Sequence, residues 1–246
     1  MARIWTIARR EYKQYFSSPI AYIVAFIILL IVGLIFYLNI VFAVQSQGQF
    51  APGVDGVLAP IGFLFVFTLP AITMRLVTEE QSQGTIELLL TAPVRDWEVV
   101  TGKWLGAWLF IITVLSLTLV YPIILNRLVS PGIDQGVMVT GYLGLFLLAA
   151  AYIGLGVAIS SFFSNQIASF IATMGTFVVV WWLIGPAGQN SVSRFGAVLR
   201  YLDFNSHFSR TALVGVIDLS DIIYYASIVT LGLVLGTLSL ESRRWR

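Results

Sequence analysis

Long apolar runs alternate with short polar stretches along this chain. Six of the runs are about 18 residues long or longer and carry little or no charge, which is the length an α-helix needs to cross the apolar core of a membrane. The second run reaches residue 78 if the side chain of Arg75 extends into the lipid head groups. The pattern predicts six membrane-spanning helices, at approximately 19–43, 57–78, 102–126, 137–163, 166–187 and 221–240.

Composition supports the same fold class. Of the 246 residues, 58% are hydrophobic and 11% are charged, and the mean hydropathy is +0.90. One soluble domain of this length cannot bury so much apolar surface, so lipid must be the main solvent. We therefore predict an all-α, polytopic integral membrane protein that forms one transmembrane domain over 1–246. The absence of cysteine excludes disulfides, and a single histidine, His207, excludes a multi-histidine metal site.

The first 18 residues precede the first apolar run and have a helical pattern of their own. This segment is predicted to be a helix in the membrane interface, and a basic tail is the alternative. The run that follows is too long for the core of a signal peptide, so we expect it to be retained as a span. The predicted apolar face contains Ile4, Trp5, Ala8, Tyr12, Tyr15 and Phe16, and the polar face contains Arg3, Arg10, Lys13 and Gln14.

The positions of lysine and arginine predict the orientation. Ten of these residues lie in the segments on the side of the N-terminus, and four lie on the other side. Because lysine and arginine accumulate on the cytoplasmic side of membrane proteins, both termini are expected in the cytoplasm. The protein is then expected to be a multi-pass protein of the cell membrane, that is, the inner or plasma membrane. Segment 79–101 is then cytoplasmic, and segment 188–220 is on the outer side.

The spans themselves contain few groups that indicate chemistry. None has a charged side chain in its middle, which argues against a proton- or sodium-coupled carrier. In the fourth span, Ala150, Gly154 and Ala158 recur every four residues, so another helix could approach closely there. In the fifth span, a shared face of hydroxyl groups could line a polar pathway, although hydroxyls bonded to the carbonyls of their own helix are the favoured alternative. These hydroxyls belong to Ser169, Thr173 and Thr176.

The longest polar connection on the predicted cytoplasmic side runs from Arg75 to Lys103. Gly84 interrupts it, the stretch 85–90 has the pattern of a short amphipathic helix, and Pro93 ends that helix. A short surface helix between two breaks suits docking to a partner, while a solvated loop is the alternative. The paired acids Glu79 and Glu80 are expected to lie in water.

This connection also resembles a known signature. Thr73-Met74-Arg75, Glu79-Glu80, the stretch from Gly84 to Thr91, Pro93 and Gly102-Lys103 are similar to the signature loop of type-two ABC transporter permeases. The gliding-motility-type permease subunits are the most similar, over nearly the whole chain, although Gln81 stands where many relatives carry a basic residue. The resemblance implies a coupling helix that contacts an ATPase. The residues implied to couple are Glu79, Glu80, Gly84, Thr85, Glu87, Leu88 and Pro93.

The same resemblance implies the partners of this chain and indicates which chain binds ATP. Gly102-Lys103 is followed by Trp104 and lacks the glycine of a phosphate-binding loop, so ATP and Mg are expected on a separate cytoplasmic ABC ATPase. We expect no enzyme activity and no cofactor in this chain, a second identical or related permease as partner, and no nucleic acid. The implied function is ATP-driven export, and a force-transducing membrane complex is the alternative. An intramembrane hydrolase is disfavoured because HExxH and GxSxG motifs are missing.

Three features of segment 188–220 and its surroundings have structural interpretations. His207 is expected to make structural hydrogen bonds. Asp218 and Asp221 are expected to cap and compensate the start of the sixth span. The pair Trp181 and Trp182 fits the aromatic belt at a membrane interface.

Overall fold

Helices long enough to cross a membrane account for most of the structure. The computed structural model describes residues 2–47, 49, 51–82, 84, 94–189 and 193–244. Within these ranges no strand occurs, so the predicted all-α, polytopic class is confirmed. The same residues contain six helices that are long and apolar enough to be spans: Pro19–Gln45, Asp55–Ser82, Asp96–Leu128, Gln135–Phe162, Gln166–Gly188 and Leu219–Ser242.

Several of these spans consist of more than one regular helix. A π-helical turn, Val179–Leu183, separates the helices Gln166–Val178 and Ile184–Gln189 of the fifth span. A short 3₁₀ turn, Ala212–Val214, precedes the last span. In chain order the α-helices are α1 Ala2–Ser17, α2 Pro19–Gln45, α3 Asp55–Thr73, α4 Thr78–Ser82, α5 Asp96–Thr118, α6 Val120–Leu128, α7 Gln135–Phe162, α8 Gln166–Val178, α9 Ile184–Gln189, α10 Arg194–Tyr201, α11 Phe204–Ser209 and α12 Leu219–Arg244.

The third span begins earlier than its apolar run. Helix α5 starts at Asp96, whereas hydropathy placed the start of the span at 102. The Glu98 carboxylate accepts a hydrogen bond of 3.0 Å from the backbone N–H of Arg95. Both Asp96 and Glu98 lie in the first turn, near the positive end of the helix dipole. The last six residues of the predicted coupling segment, 96–101, therefore belong to this helix.

The break within the third span has a local cause. Helix α5 ends at Thr118, and α6 starts at Val120. Pro122 has no backbone N–H to donate to the carbonyl of Thr118, so the regular ladder is interrupted at this point. The Thr118 hydroxyl is satisfied locally because it donates to the carbonyl of Leu115 at 2.7 Å.

Helix α7 lies at the centre of the bundle. In its most apolar window 72% of the residues are buried, against 28% in α2. It packs against α3, α5, α8 and α12. Helix α2 lies at the edge and exposes large apolar side chains such as Phe26, Leu34 and Phe42, as expected for a helix whose solvent is lipid.

The small residues of α7 form a close helix contact. A Cβ atom on Gly232 of α12 would collide with the backbone of Gly154 in α7. Ala150 and Ala158, one turn away on either side, are also buried. The prediction that this stripe admits a closely packed helix is confirmed, and the helix is α12.

The predicted N-terminal helix is present, but α5 covers much of its apolar face. Ala8 is fully buried. A Cβ on Gly106 would lie 2.6 Å from the Cβ of Glu11, so this glycine permits the close approach of the two helices. Trp5 is 57% exposed and Phe16 is also exposed, which leaves an aromatic edge for lipid. The position of α1 in the membrane interface stays a prediction.

Candidate functional site

A buried lysine connects three helices at the end of the bundle that carries α1. Lys103 lies in the first turns of α5, and 5% of its side chain is exposed. Its Nζ lies 2.9 Å from Oε1 of Glu11 in α1 and 2.9 Å from Oε1 of Glu80 in α4. These are the distances of charge-assisted hydrogen bonds. The cluster Glu11, Glu80 and Lys103 is called the lysine cluster below.

The lysine cluster restrains the elements that contribute to it. A charged group removed from water is tolerated only when opposite charge and hydrogen bonds compensate it. Each member therefore depends on the others for its own solvation. Because the three side chains come from α1, α4 and α5, a displacement of α4 away from α5 would separate Glu80 from Lys103.

A second ion pair ties the start of the same connection to the first span. The guanidinium of Arg75 donates through Nε and Nη2 to the two carboxylate oxygens of Glu79, at 3.0 and 3.1 Å. Its Nη1 donates to Oγ of Ser18 at 2.8 Å, just before α2. This two-pronged geometry is specific to arginine and fixes the direction of α4.

The carbonyl groups at the end of α7 provide a third attachment. The last carbonyls of a helix have no partner in that helix. Thr78 Oγ1 donates to the carbonyl of Ser160 at 2.8 Å, and Gln81 Nε2 donates to that of Ser161 at 2.9 Å. Ser239 Oγ, in α12, donates to the same Ser161 carbonyl at 3.0 Å. Helix α4 is thus anchored to the central helix.

The environment of the cluster also keeps a neighbouring phenol neutral. Tyr15 in α1 stacks on Phe110 of α5, with ring centroids 4.9 Å apart. Burial raises the pKa of the Tyr15 hydroxyl well above its usual range, and the negative charge of Glu11 raises it further. The ring therefore acts as an uncharged packing surface between α1 and α5.

The structure describes only part of the predicted coupling site. Glu79, Glu80 and Gly84 lie within the described residues. Gly84 has a φ of +67°, in the left-handed region that favours glycine, as expected for a break after α4. Four of the predicted residues lie outside the described residues: Thr85, Glu87, Leu88 and Pro93.

The expectation that the paired acids lie in water was wrong. The side chains of Glu79 and Glu80 are 21% and 22% exposed, and both form ion pairs within the chain. The pairing of Glu79 was accessible from sequence, because Arg75 is four residues earlier on the same helical face. The pairing of Glu80 was missed. A lysine at the start of an apolar run was itself a signal, because a charge at that position needs a partner.

Most of the chain matches a known protein family. A family model described as ABC-2 family transporter protein matches residues 5–238. The chain belongs to the ABC-2 transporter family. The match includes most of α1 and all six candidate spans except the last residues of the sixth. No curated protein matches the chain.

Membership gives this ABC-2 protein its general role. The family's membrane component is a multi-pass transport subunit and is not itself catalytic, and it works in partnership with an ABC ATPase. The six apolar helices agree with that role. The lysine cluster lies beside the connection between the second and third spans, where the sequence resembles the family's signature loop.

The three hydroxyl groups on the shared face of the fifth span differ in their hydrogen bonds. Ser169 and Thr173 of the ABC-2 subunit are fully buried, and neither hydroxyl has a hydrogen-bond partner among the residues that the structure describes. Thr176 donates to the carbonyl of Ala172 at 2.9 Å. The expectation that these hydroxyls bond to carbonyls of their own helix is therefore confirmed for Thr176 and is wrong for Ser169 and Thr173. Their part in a pathway stays a prediction.

Proposed function

We propose that this chain is the membrane subunit of an ATP-driven exporter, moved by a separate cytoplasmic ATPase that binds ATP and Mg. The ATPase acts on segment 79–101, and the residues proposed to couple are Glu79, Glu80, Gly84, Thr85, Glu87, Leu88 and Pro93. The observation that carries the proposal is the attachment of α4, at the start of this segment, to four other helices. Family membership supports the partnership with an ATPase.

The attachments of α4 suggest how a force that the ATPase exerts on segment 79–101 would be transmitted to the spans. Glu80 connects it through Lys103 to α5 and α1. Glu79 connects it through Arg75 to the start of α2. The hydrogen bonds to the end of α7 connect it to the central helix. A displacement of the segment is thus shared among these helices, which is what rocking of the membrane half requires.

The transport pathway is proposed to form when two such subunits, identical or related, come together. Within each subunit, we propose that Ser169, Thr173 and Thr176 line the pathway. The hydroxyls of Ser169 and Thr173, which have no hydrogen-bond partner in the described part of the chain, are polar groups that a substrate can use when the bundle opens.

The proposed orientation places the lysine cluster and both termini in the cytoplasm. Reporter fusions after Arg246 and within 80–95 are expected to report cytoplasm, and a fusion near Asn190 is expected to report the opposite side. The reason is the excess of lysine and arginine in the segments on the N-terminal side. A reporter within 80–95 that reads the outer side would contradict both the topology and the docking proposal.

Charge reversal tests the coupling segment itself. Glu87→Arg is preferred to changes at Glu79 or Glu80, because those two acids form ion pairs with Arg75 and Lys103 and their replacement would also disturb the fold. We expect Glu87→Arg to weaken copurification with the partner ABC ATPase by about tenfold, since charge complementarity guides such contacts. Glu241→Arg is the matched control, because Glu241 is an exposed acid on the same side of the bundle. Equal copurification of both variants would remove segment 79–101 as the docking site.

Reconstitution separates export from force transduction. The second candidate function, a force-transducing complex, is favoured by the similarity to gliding-type subunits around His207-Phe208 and 215–218. In proteoliposomes that contain the whole complex, an exporter shows ATP-dependent loss of a trapped solute. ATP hydrolysis that depends on the membrane subunit but moves no solute from a broad library would favour force transduction.

A further inference from the structure

Helix α1 presents three different surfaces around its circumference. The first surface packs against α5 and contains the fully buried Ala8. The second is an aromatic edge, in which Trp5 is 57% exposed and Phe16 is 41% exposed. The third surface, called the basic face below, consists of three exposed side chains, those of Arg9, Arg10 and Lys13. Packing against α5 thus leaves both an aromatic and a cationic surface open to other partners.

The basic face has no acidic counterpart in the described part of the chain. Glu11 is the single acid of α1, and its carboxylate pairs with Lys103 on the side of α5. Arg3, the remaining cation of α1, lies 3.9 Å from Glu98. None of the three cations of the basic face forms an ion pair with another described residue. Their charge is therefore complementary to an anionic partner from outside the chain.

The basic face adjoins the aromatic edge. Arg9 lies four residues after Trp5, and Lys13 lies three residues before Phe16. Residues with these spacings are neighbours on the surface of a helix. Cations beside exposed aromatic rings are typical of helices that lie at the level of the lipid head groups, because the rings enter the acyl boundary while the charges stay in the polar layer. This arrangement favours a lipid surface over a docked protein.

The connection to the first span holds α1 at the end of that span. Only Ser18 separates α1 from α2, and the hydroxyl of Tyr22 donates to the carbonyl of Phe16 at 2.7 Å. Tyr22 and Phe26 belong to the exposed apolar face of α2, whose solvent is lipid. The aromatic edge of α1 therefore continues the lipid-facing surface of the span, at the point where that surface meets the head groups.

We propose that the basic face of α1 binds the phosphate groups of anionic phospholipids in the leaflet where α2 begins. Guanidinium and ammonium groups both donate charge-assisted hydrogen bonds to phosphate oxygens. The net negative charge of these lipids adds an attraction that zwitterionic phospholipids lack. One basic side chain near the membrane surface favours the anionic lipid by about fivefold.

Because the chain has no cysteine, one fluorophore can be attached at a chosen position of the full-length protein. Ser17→Cys places it on an exposed position four residues after Lys13. In phosphatidylcholine nanodiscs, quenching by phosphatidylglycerol with a spin label near its head group is compared with quenching by equally labelled phosphatidylcholine. We expect phosphatidylglycerol to be enriched about fivefold at this position, and the enrichment to disappear at about 1 M salt, where exposed charges are screened. Equal quenching by the two lipids at low salt would overturn the proposal.

Charge variants show whether the basic face causes the enrichment. The combination of Arg9→Gln, Arg10→Gln and Lys13→Gln should abolish it at Ser17→Cys and leave quenching unchanged at Ser220→Cys, an exposed control position in the first turn of α12. Arg9→Lys with Arg10→Lys keeps the charges and should keep most of the enrichment.

Two results of these variants would refute the proposal. One is an enrichment of phosphatidylglycerol that survives the glutamine variant, because the basic face would then not be its cause. The other is equal quenching by both lipids together with loss of ATPase copurification in the glutamine variant, which would assign the basic face to the ABC ATPase instead of lipid.

Discussion

Lys103→Met is expected to destabilise the protein by about 3 to 5 kcal/mol, the usual cost of removing one partner from a buried ion pair. The change removes the cation that lies 2.9 Å from a carboxylate oxygen of both Glu11 and Glu80. They then repel each other, and α4 loses its connection to α5 and α1. Denaturation in detergent measures the stability, and ATP-dependent transport measures the coupling, which we expect to be lost.

Two further variants show whether charge compensation is the cause. Lys103→Arg keeps a cation and should recover a large part of the stability. Removing all three charges with Lys103→Met, Glu11→Gln and Glu80→Gln should restore stability without restoring coupling, because no orphaned charge remains but the ionic connection is gone. A stable and fully coupled Lys103→Met protein would show that the lysine cluster has no part in transmission.

Gly232→Leu is expected to separate α7 from α12 and to cost about 3 kcal/mol, at the upper end of typical overpacking penalties. Its Cβ would meet the backbone carbon and oxygen of Gly154. Backbone atoms cannot move aside by changing rotamer, so the helices themselves must shift. Because α7 is the most buried span, the effect should spread through the bundle. Thermal unfolding of the purified protein is the measurement.

Gly175→Leu provides the matched control for this prediction. Gly175 also lies inside a span, but apart from the nearby backbone of its own helix and its chain neighbours, no atom of the described residues lies within 4 Å of a Cβ built on it. The intrinsic gain in helix propensity is the same in both variants, so the difference between them reports packing alone. Similar melting temperatures for the two leucine variants would mean that the contact between Gly154 and Gly232 is looser than the structure indicates.

The location of the helices followed from sequence because its cause is local. In a lipid environment a helix satisfies every backbone polar group within one segment, so an apolar run of sufficient length predicts a span without knowledge of its neighbours. The pairing of Arg75 with Glu79 was local as well, since the two residues are four apart on one helix. The left-handed turn at Gly84 also fits its local sequence.

The lysine cluster could not be derived in the same way. Lys103 and Glu11 are 92 residues apart, and their meeting depends on α1 crossing α5 where Gly102 and Gly106 leave room for it. Periodicity showed that α1 has an apolar face, but lipid and a protein surface are equally apolar partners for such a face. Packing decided between them, and it covered Ala8 while leaving Trp5 exposed.

Sequence alone therefore determined the fold class, the number and approximate position of the spans and the resemblance to the ABC-2 family, because hydrophobic length and linear motifs are properties of continuous segments. Tertiary structure decided which side chains meet. It placed Glu80 on Lys103, and it placed His207 between Tyr201 and Asp221. Such contacts depend on helix positions in three dimensions, and burial then makes their charges and protons matter.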